Sequence, residues 1–289
     1  MTKTVNGKEI AAQIRQNVKK KLKKLDKKLK LAVILVSDDP ASVVYVKMKE
    51  KACVEAGIDF ELIKISPREA CKTIDSKDCV LTKTIQKLNW DKNVTGILVQ
   101  LPLPRAIDEN AIISRMDPAK DVDCLHPFNF GNLFLNKFQV DKLAPCTPKG
   151  CLYLLKHFNF DIESKNAVIV GRSNIAGKPM ARLLLSQDAT VSVCHSKTKN
   201  LKQFTKKADI LVTAVGIPNF IKKDMVKKGA FVIDVGINRV KGKLVGDVNF
   251  DDVKSKSAFI TPVPGGVGPM TVAMLLENIL ICHKLKRLS

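Results

Sequence analysis

The sequence predicts an α/β protein of two domains, an N-terminal βαβ domain on a parallel sheet and a C-terminal Rossmann-like domain. Three observations carry this. Short apolar runs alternate with helical stretches in both halves, the pattern of parallel sheets built from βαβ units. The alternation starts afresh just after Ala144-Pro-Cys-Thr-Pro148. A chain of 289 residues is too long for one small domain and long enough to bury two cores.

The elements follow in order. Ile10, Ile14, Val18, Leu22 and Leu25 recur at helical spacing, so the lysine-rich run between Lys19 and Lys30 falls on the outer face of a docked first helix. A buried strand is expected over 31–37. Asp38, Asp39 and Pro40 then turn the chain into a helix over 41–56, closed by Gly57. Strands follow over 59–65 and 94–100, with a helix over 78–89 between them; Leu101-Pro-Leu-Pro104 stops the last strand. In the second half a helix over 149–157 precedes strands over 167–170, 189–195, 209–216 and 230–238. Helices are expected over 179–186, near 200–207 and between 216 and 230. Thr261-Pro-Val-Pro-Gly-Gly-Val-Gly-Pro269 leads into an apolar helix over 270–284, whose free N–H groups can face an anion or a carbonyl.

Residues with chemical potential gather at strand ends, where parallel sheets place their ligands. Tyr45 and Lys49 are four apart and share a helix face. A ring beside an ammonium suits a flat substrate that exchanges a proton, while a core tyrosine and a solvated lysine is the plain alternative. Gln100 ends a strand. The carboxylate-rich segment over 117–127 reads either as a solvated turn with Asx capping or as a carboxylate offered to a ligand's N–H groups. The turn over 171–177 is not a P-loop, because five residues separate its glycines and Pro179 stands where Ser or Thr would hold magnesium. It lies where a dinucleotide pyrophosphate binds, or it is a bare turn. The next strand ends in His195-Ser196-Lys197, without the Asp or Glu that holds a ribose 2′-hydroxyl, and Arg172 and Ser173 lie in the first turn. This set suits a 2′-phosphate and so favours NADP over NAD.

Composition narrows the function classes. No apolar run approaches the ~18–20 residues that span a bilayer, and no secretory segment follows Met1; a cytoplasmic protein with no membrane partner is expected. Eight cysteines without C-x-x-C spacing read as buried reduced thiols. Four scattered histidines form no metal cluster, so no metal is expected. A net charge of +21 raises nucleic-acid binding, but no recognition motif or interleaved aromatic residues accompany the lysines, so no nucleic-acid partner is expected.

Several stretches, in order and across nearly the whole chain, resemble the bifunctional methylenetetrahydrofolate dehydrogenase/methenyltetrahydrofolate cyclohydrolase family, the FolD type. They are Ala41-Ser-x-x-Tyr-Val-x-x-Lys49, Gly96-Ile-Leu-Val-Gln-Leu-Pro-Leu-Pro104, Lys120-Asp-Val-Asp123, Pro145-Cys-Thr-Pro-Lys-Gly150, Val170-Gly-Arg-Ser173 and Thr261-Pro-Val-Pro-Gly-Gly-Val-Gly-Pro-Met-Thr271. The resemblance implies one cleft between the domains that serves two steps of one-carbon metabolism, NADP-dependent oxidation of 5,10-methylenetetrahydrofolate and hydrolysis of the methenyl product to 10-formyltetrahydrofolate. It implies Lys49, Gln100 and Tyr45 as catalytic residues. Tyr45 would pack on the folate rings and Asp123 would bind the pterin's amino edge, with Gly265 and Gly266 also at the substrate. Gly171, Arg172, Ser173, Ser196 and the Ile237 backbone would bind NADP. A homodimer is implied, as is a folate domain over 1–143 completed by a helix over 269–289, with the NADP domain over 144–268. The positive surface would be a solvated lysine coat or an attraction for a folate polyglutamate tail. One departure stands out. The family places glycine after Lys-Asp-Val-Asp, and this chain has Cys124. If φ is positive there, cysteine costs about 1–2 kcal/mol and shifts Asp123, which leaves a dehydrogenase with impaired hydrolysis as the alternative reading.

Overall fold

The computed structural model describes residues 2–37, 39–70, 79–135 and 142–285. The expected positions of Asp38, Cys71 and Asp78, and residues 286–289 of the C-terminal segment, lie outside the described residues. The chain forms two compact units, one built mainly from Met1–Ala12 and Pro145–Met274, the other mainly from Gln13–Leu135 and Leu275–Ser289. The strands are β1 (Lys3–Thr4), β2 (Lys30–Leu35), β3 (Asp59–Lys64), β4 (Gly96–Gln100), β5 (Asn166–Val170), β6 (Thr190–Cys194), β7 (Ile210–Thr213), β8 (Phe231–Asp234), β9 (Asn238–Val240), β10 (Lys243–Val245) and β11 (Phe259–Ile260).

In the Gln13–Leu135 unit a parallel sheet runs β3-β2-β4. Its middle strand β2 is buried from Leu31 to Leu35, as an apolar run between two neighbours must be. The helix Pro40–Ala56 follows β2. Asp39 caps it by accepting from the Ser42 backbone N–H at 2.9 Å, Pro40 opens it, and Gly57 closes it at φ 90°. The helix Val80–Trp90 buries Leu81, Ile85 and Leu88, one stripe at helical spacing, into a core with Ile34, Ile97 and Ile112. The helix Pro127–Leu135 was not foreseen; it buries only Leu133, so it carries no apolar stripe to read.

In the Pro145–Met274 unit six parallel strands run β1-β11-β8-β7-β5-β6. Phe231 and Phe259 stack at 4.8 Å between ring centroids, with Phe160 edge-on to Phe231 at 5.3 Å. Strand β1 gives no pattern, being two exposed polar residues paired with Phe259 and Ile260, with the Lys3 ammonium over the Phe158 ring at 4.8 Å. The helix expected between 216 and 230 is a single 3-10 turn, Lys223–Met225. Pro218, Asn219 at φ 53° and Gly229 at φ 82° interrupt that stretch. The strand expected over 230–238 ends at Asp234, and a hairpin β9–β10 follows through Lys241 and Gly242, whose φ values of 48° and 80° match the primed turns that suit tight hairpins.

Among the described residues Cys53, Cys124, Cys146, Cys151, Cys194 and Cys282 are buried thiols outside any disulfide, as expected, while Cys79 is disulfide-bonded and departs from that expectation. No described helix is long and apolar enough to cross a membrane, and no described group of His, Cys, Asp and Glu could hold a metal.

Candidate active site

Two clusters gather at strand ends, one in each unit. In the Gln13–Leu135 unit, Leu35 pairs with Gln100, so β2 and β4 end side by side. Lys49 lies on the helix that follows β2. Its side chain is buried, with 7% exposure, and its Nζ donates to Gln100 Oε1 at 2.8 Å. Gln100 is held in turn, since its Nε2 donates to the Leu101 carbonyl at 2.7 Å. That second bond assigns the amide oxygen to Lys49 and leaves it no freedom to flip. Tyr45 is half-buried one turn before Lys49, and burial raises its phenol pKa, so the hydroxyl stays protonated. One turn after Lys49, burial pushes the Cys53 thiol up to about 12 against the lowering effect of the Lys49 charge, so it is an inert filler.

The Lys-Asp-Val-Asp stretch lies against β4 through one parallel bridge, Ile97 with Asp121, so the chain beyond Asp121 runs in the same direction as Leu98 to Gln100. Its members divide the work. Lys120 is buried, and its Nζ donates to the carbonyls of Leu88, Asn89 and Asp91 at 2.7, 2.5 and 2.8 Å. It therefore closes the end of the helix Val80–Trp90, where free carbonyls and the helix dipole favour a cation. Asp121 accepts from the His126 backbone at 2.8 Å and Asn129 Nδ2 at 2.9 Å, and burial raises its pKa. Asp123 is half-buried. Cys124 is fully buried at φ 55°, so the condition raised at this position, a positive φ, is met.

In the Pro145–Met274 unit, β5 and β6 end together, with Val170 paired to Cys194 and the Gly171 N–H bonded to the Cys194 carbonyl at 2.9 Å. Arg172, Ser173 and Ser196 follow these ends and are exposed. The glycine spacing now has a cause. A Cβ on Gly171 would overlap the Ala214 carbonyl, and one on Gly177 would overlap the Gly171 carbonyl, so both positions admit only glycine where loop and helix meet. Ser173 Oγ accepts from the Ala176 N–H at 3.1 Å and so helps start the helix Gly177–Leu185. Ile237 is exposed beyond the end of β8. Gly265 and Gly266 belong to this unit as well; the Gly265 carbonyl accepts from the Lys8 N–H at 3.0 Å and the Gly266 N–H donates to Pro262 at 2.8 Å.

Two buried aspartates beside Ile237 escaped the sequence reading, because no short motif joins residues thirteen apart. Asp247 Oδ2 accepts from the Val215 and Gly216 N–H groups at 2.6 and 3.1 Å, and its Oδ1 accepts from the Ile217 N–H at 3.0 Å and Asn238 Nδ2 at 2.9 Å. Asp234 Oδ1 accepts from the Gly236 and Asp247 N–H groups at 2.9 and 3.0 Å, and its Oδ2 accepts from Val248 at 2.8 Å. Burial, with the nearby Asp247 charge adding to it, pushes Asp234 up to about 6.

Comparison with known proteins matches residues 5–123 to the catalytic domain, and residues 145–287 to the NAD(P)-binding domain, of the tetrahydrofolate dehydrogenase/cyclohydrolase family. A bifunctional protein FolD from Nitratiruptor sp. is 49% identical over 289 residues, covering 99% of each chain. The crystal structure of the bifunctional FolD dehydrogenase/cyclohydrolase of Campylobacter jejuni superposes with a TM-score of 0.92 at 47% identity, over 99% of this chain and 100% of that one. The Trypanosoma brucei dehydrogenase-cyclohydrolase, complexed with NADP and inhibitor, gives a TM-score of 0.91 at 34% identity over 100% and 99% of the chains.

Proposed function

Because the chain belongs to the tetrahydrofolate dehydrogenase/cyclohydrolase family, we propose that it oxidises 5,10-methylenetetrahydrofolate with NADP⁺ and hydrolyses the resulting methenyl cation to 10-formyltetrahydrofolate, using the two clusters described above. The observation that carries the hydrolytic assignment is the bond between Lys49 and Gln100, on a helix that also carries Tyr45. Gln100 holds the amine in one orientation. A methenyl cation beside Lys49 favours its neutral form, because like charges repel. The neutral amine takes a proton from the water that adds to the cationic carbon. The C–N5 bond then opens as the added hydroxyl loses its proton to solvent and becomes the formyl carbonyl on N10, and N5 takes back the proton held by Lys49. A placed acid–base group of this kind contributes roughly 10²–10⁴-fold. The protonated Tyr45 ring offers a flat face for the pterin, and Asp123 a carboxylate for its amino edge, with Gly265 and Gly266 on the substrate side.

Bound NADP supplies the hydride acceptor. The chain's part is to hold it: Gly171 leaves room at the strand end, and Arg172, Ser173 and Ser196 donate to a 2′-phosphate where no carboxylate opposes one. The Ile237 backbone completes the set. The residues present therefore fit this cofactor. We assign the folate part to residues 1–143 with 269–289 and the NADP part to 144–268, with the difference that Met1–Ala12 and 269–274 cluster with the NADP unit, to whose sheet Lys3–Thr4 adds a strand.

Lys49→Met is expected to abolish methenyl hydrolysis and leave NADP binding intact. Unchanged hydrolysis in that variant removes Lys49 from the mechanism, and turnover with NAD⁺ equal to that with NADP⁺ removes Arg172 and Ser196 from theirs. A cytoplasmic homodimer belongs to the same proposal. Its support is the edge strand β6, which exposes Val193 near Leu185 in sequence; a monomer by light scattering at assay concentration refutes it.

A further inference from the structure

We infer that Asp247 is a positioning residue of the dinucleotide site, acting as the strap that holds two cofactor-facing loops in register. The inference rests on the NADP reading above and adds a residue to it.

Strands β7 and β8 are neighbours, with Thr213 paired to Asp234, so the loops after them leave the sheet side by side at the carboxyl ends where a doubly wound fold receives its ligand. The first loop carries Val215, Gly216 and Ile217; the second carries Ile237 and leads into Asn238 at the start of β9. Three consecutive N–H groups of the first loop and the Asn238 amide of the second all converge on the Asp247 carboxylate, at 2.6 to 3.1 Å. Four donors use the four lone-pair sites of an ionised carboxylate, which an asparagine in its place could not offer. All four of these donors are neutral amides, and the carboxylate they hold is fully buried.

What the strap presents is two exposed isoleucines, Ile217 and Ile237, one from each loop. Its fit is close from behind as well, since a Cβ on Gly236 would overlap the Asp247 carboxylate. Asp234 fixes the strap itself by accepting from the Asp247 and Val248 N–H groups. Loss of the strap leaves both loops in place in sequence but frees their spacing, and the binding of a rigid dinucleotide across them weakens.

The test is steady-state kinetics of both activities on full-length protein. Asn238→Ala cuts one bond of the strap and spares the backbone contacts; Asp247→Asn turns one of its two acceptor oxygens into an N–H donor group. The KM for NADP⁺ is expected to rise about threefold in the first and more than tenfold in the second, with kcat falling less and methenyl hydrolysis, measured without cofactor, within twofold of wild type. A KM for NADP⁺ unchanged in Asn238→Ala overturns the inference. So does a parallel fall of hydrolysis and oxidation in that variant, which marks a purely structural contact. Absence of NADPH formation by the wild-type protein refutes the NADP reading itself, a distinct result.

Discussion

Replacing Lys120 by methionine tests whether this lysine serves stability. Its ammonium is buried and donates to three backbone carbonyls at 2.5–2.8 Å, all at the end of the helix Val80–Trp90. Methionine keeps most of the stem and removes all three donors. Each carbonyl left without a donor costs about 1–3 kcal/mol where it is shut from water, and hydrogen bonds to a charged group contribute about 1.5–3 kcal/mol. Recovery of the cost of burying the ammonium offsets part of this, and we expect a net loss of about 3–4 kcal/mol, the scale of breaking a buried ionic contact. At roughly 2–4 °C per kcal/mol for a chain of this size class, the transition that reports the Gln13–Leu135 unit falls by roughly 6–16 °C. Calorimetry reads this directly, and urea melts followed at Trp90 give an independent value. A shift below about 3 °C shows that water replaces the ammonium and refutes the capping role.

Three other outcomes follow from the same geometry. At Cys124, alanine removes the thiol and keeps the left-handed strain, whereas glycine removes both; Cys124→Gly should exceed Cys124→Ala in stability by about 0.5–1 kcal/mol after glycine's entropy cost, and equal or reversed stabilities by urea denaturation exclude strain at φ 55°. Asp234 has a folded pKa of about 6, above the unfolded carboxyl value, so its contribution to stability is fully present below about pH 4 and is lost as pH rises through 6. Asp234→Asn should therefore flatten the stability change between pH 4 and 6, by up to about 3 kcal/mol, and an unaltered slope counts against a buried titrating carboxyl. Cys53 and Cys151, whose thiols are both pushed up to about 12 by burial, should resist alkylation at pH 8 in the native protein and react once it is unfolded; fast native labelling at either would contradict their burial.

Whatever depends on local order is legible in the residues alone. Apolar runs such as 31–35 and the stripe of Leu81, Ile85 and Leu88 mark buried strands and helix faces through their period alone. Asp39, Pro40 and Gly57 mark both ends of the Tyr45 and Lys49 helix through backbone chemistry that a few neighbouring residues settle. The motif stretches, in order, named the family that the comparisons then showed. Which side chains meet depends instead on the folded chain. Lys49 and Gln100 are 51 residues apart, and nothing local to either says that the amide would hold the amine. Lys120 sits inside a motif that reads as ligand-binding, yet its ammonium turns to the end of another helix, because three carbonyls there lacked donors. Asp247 belongs to no motif, and folding brings two loops onto its carboxylate. The physical reason is common to all three: a periodic pattern reports which face is buried, whereas hydrogen-bond partners distant in sequence exist only once the sheet has set the spacing between strand ends.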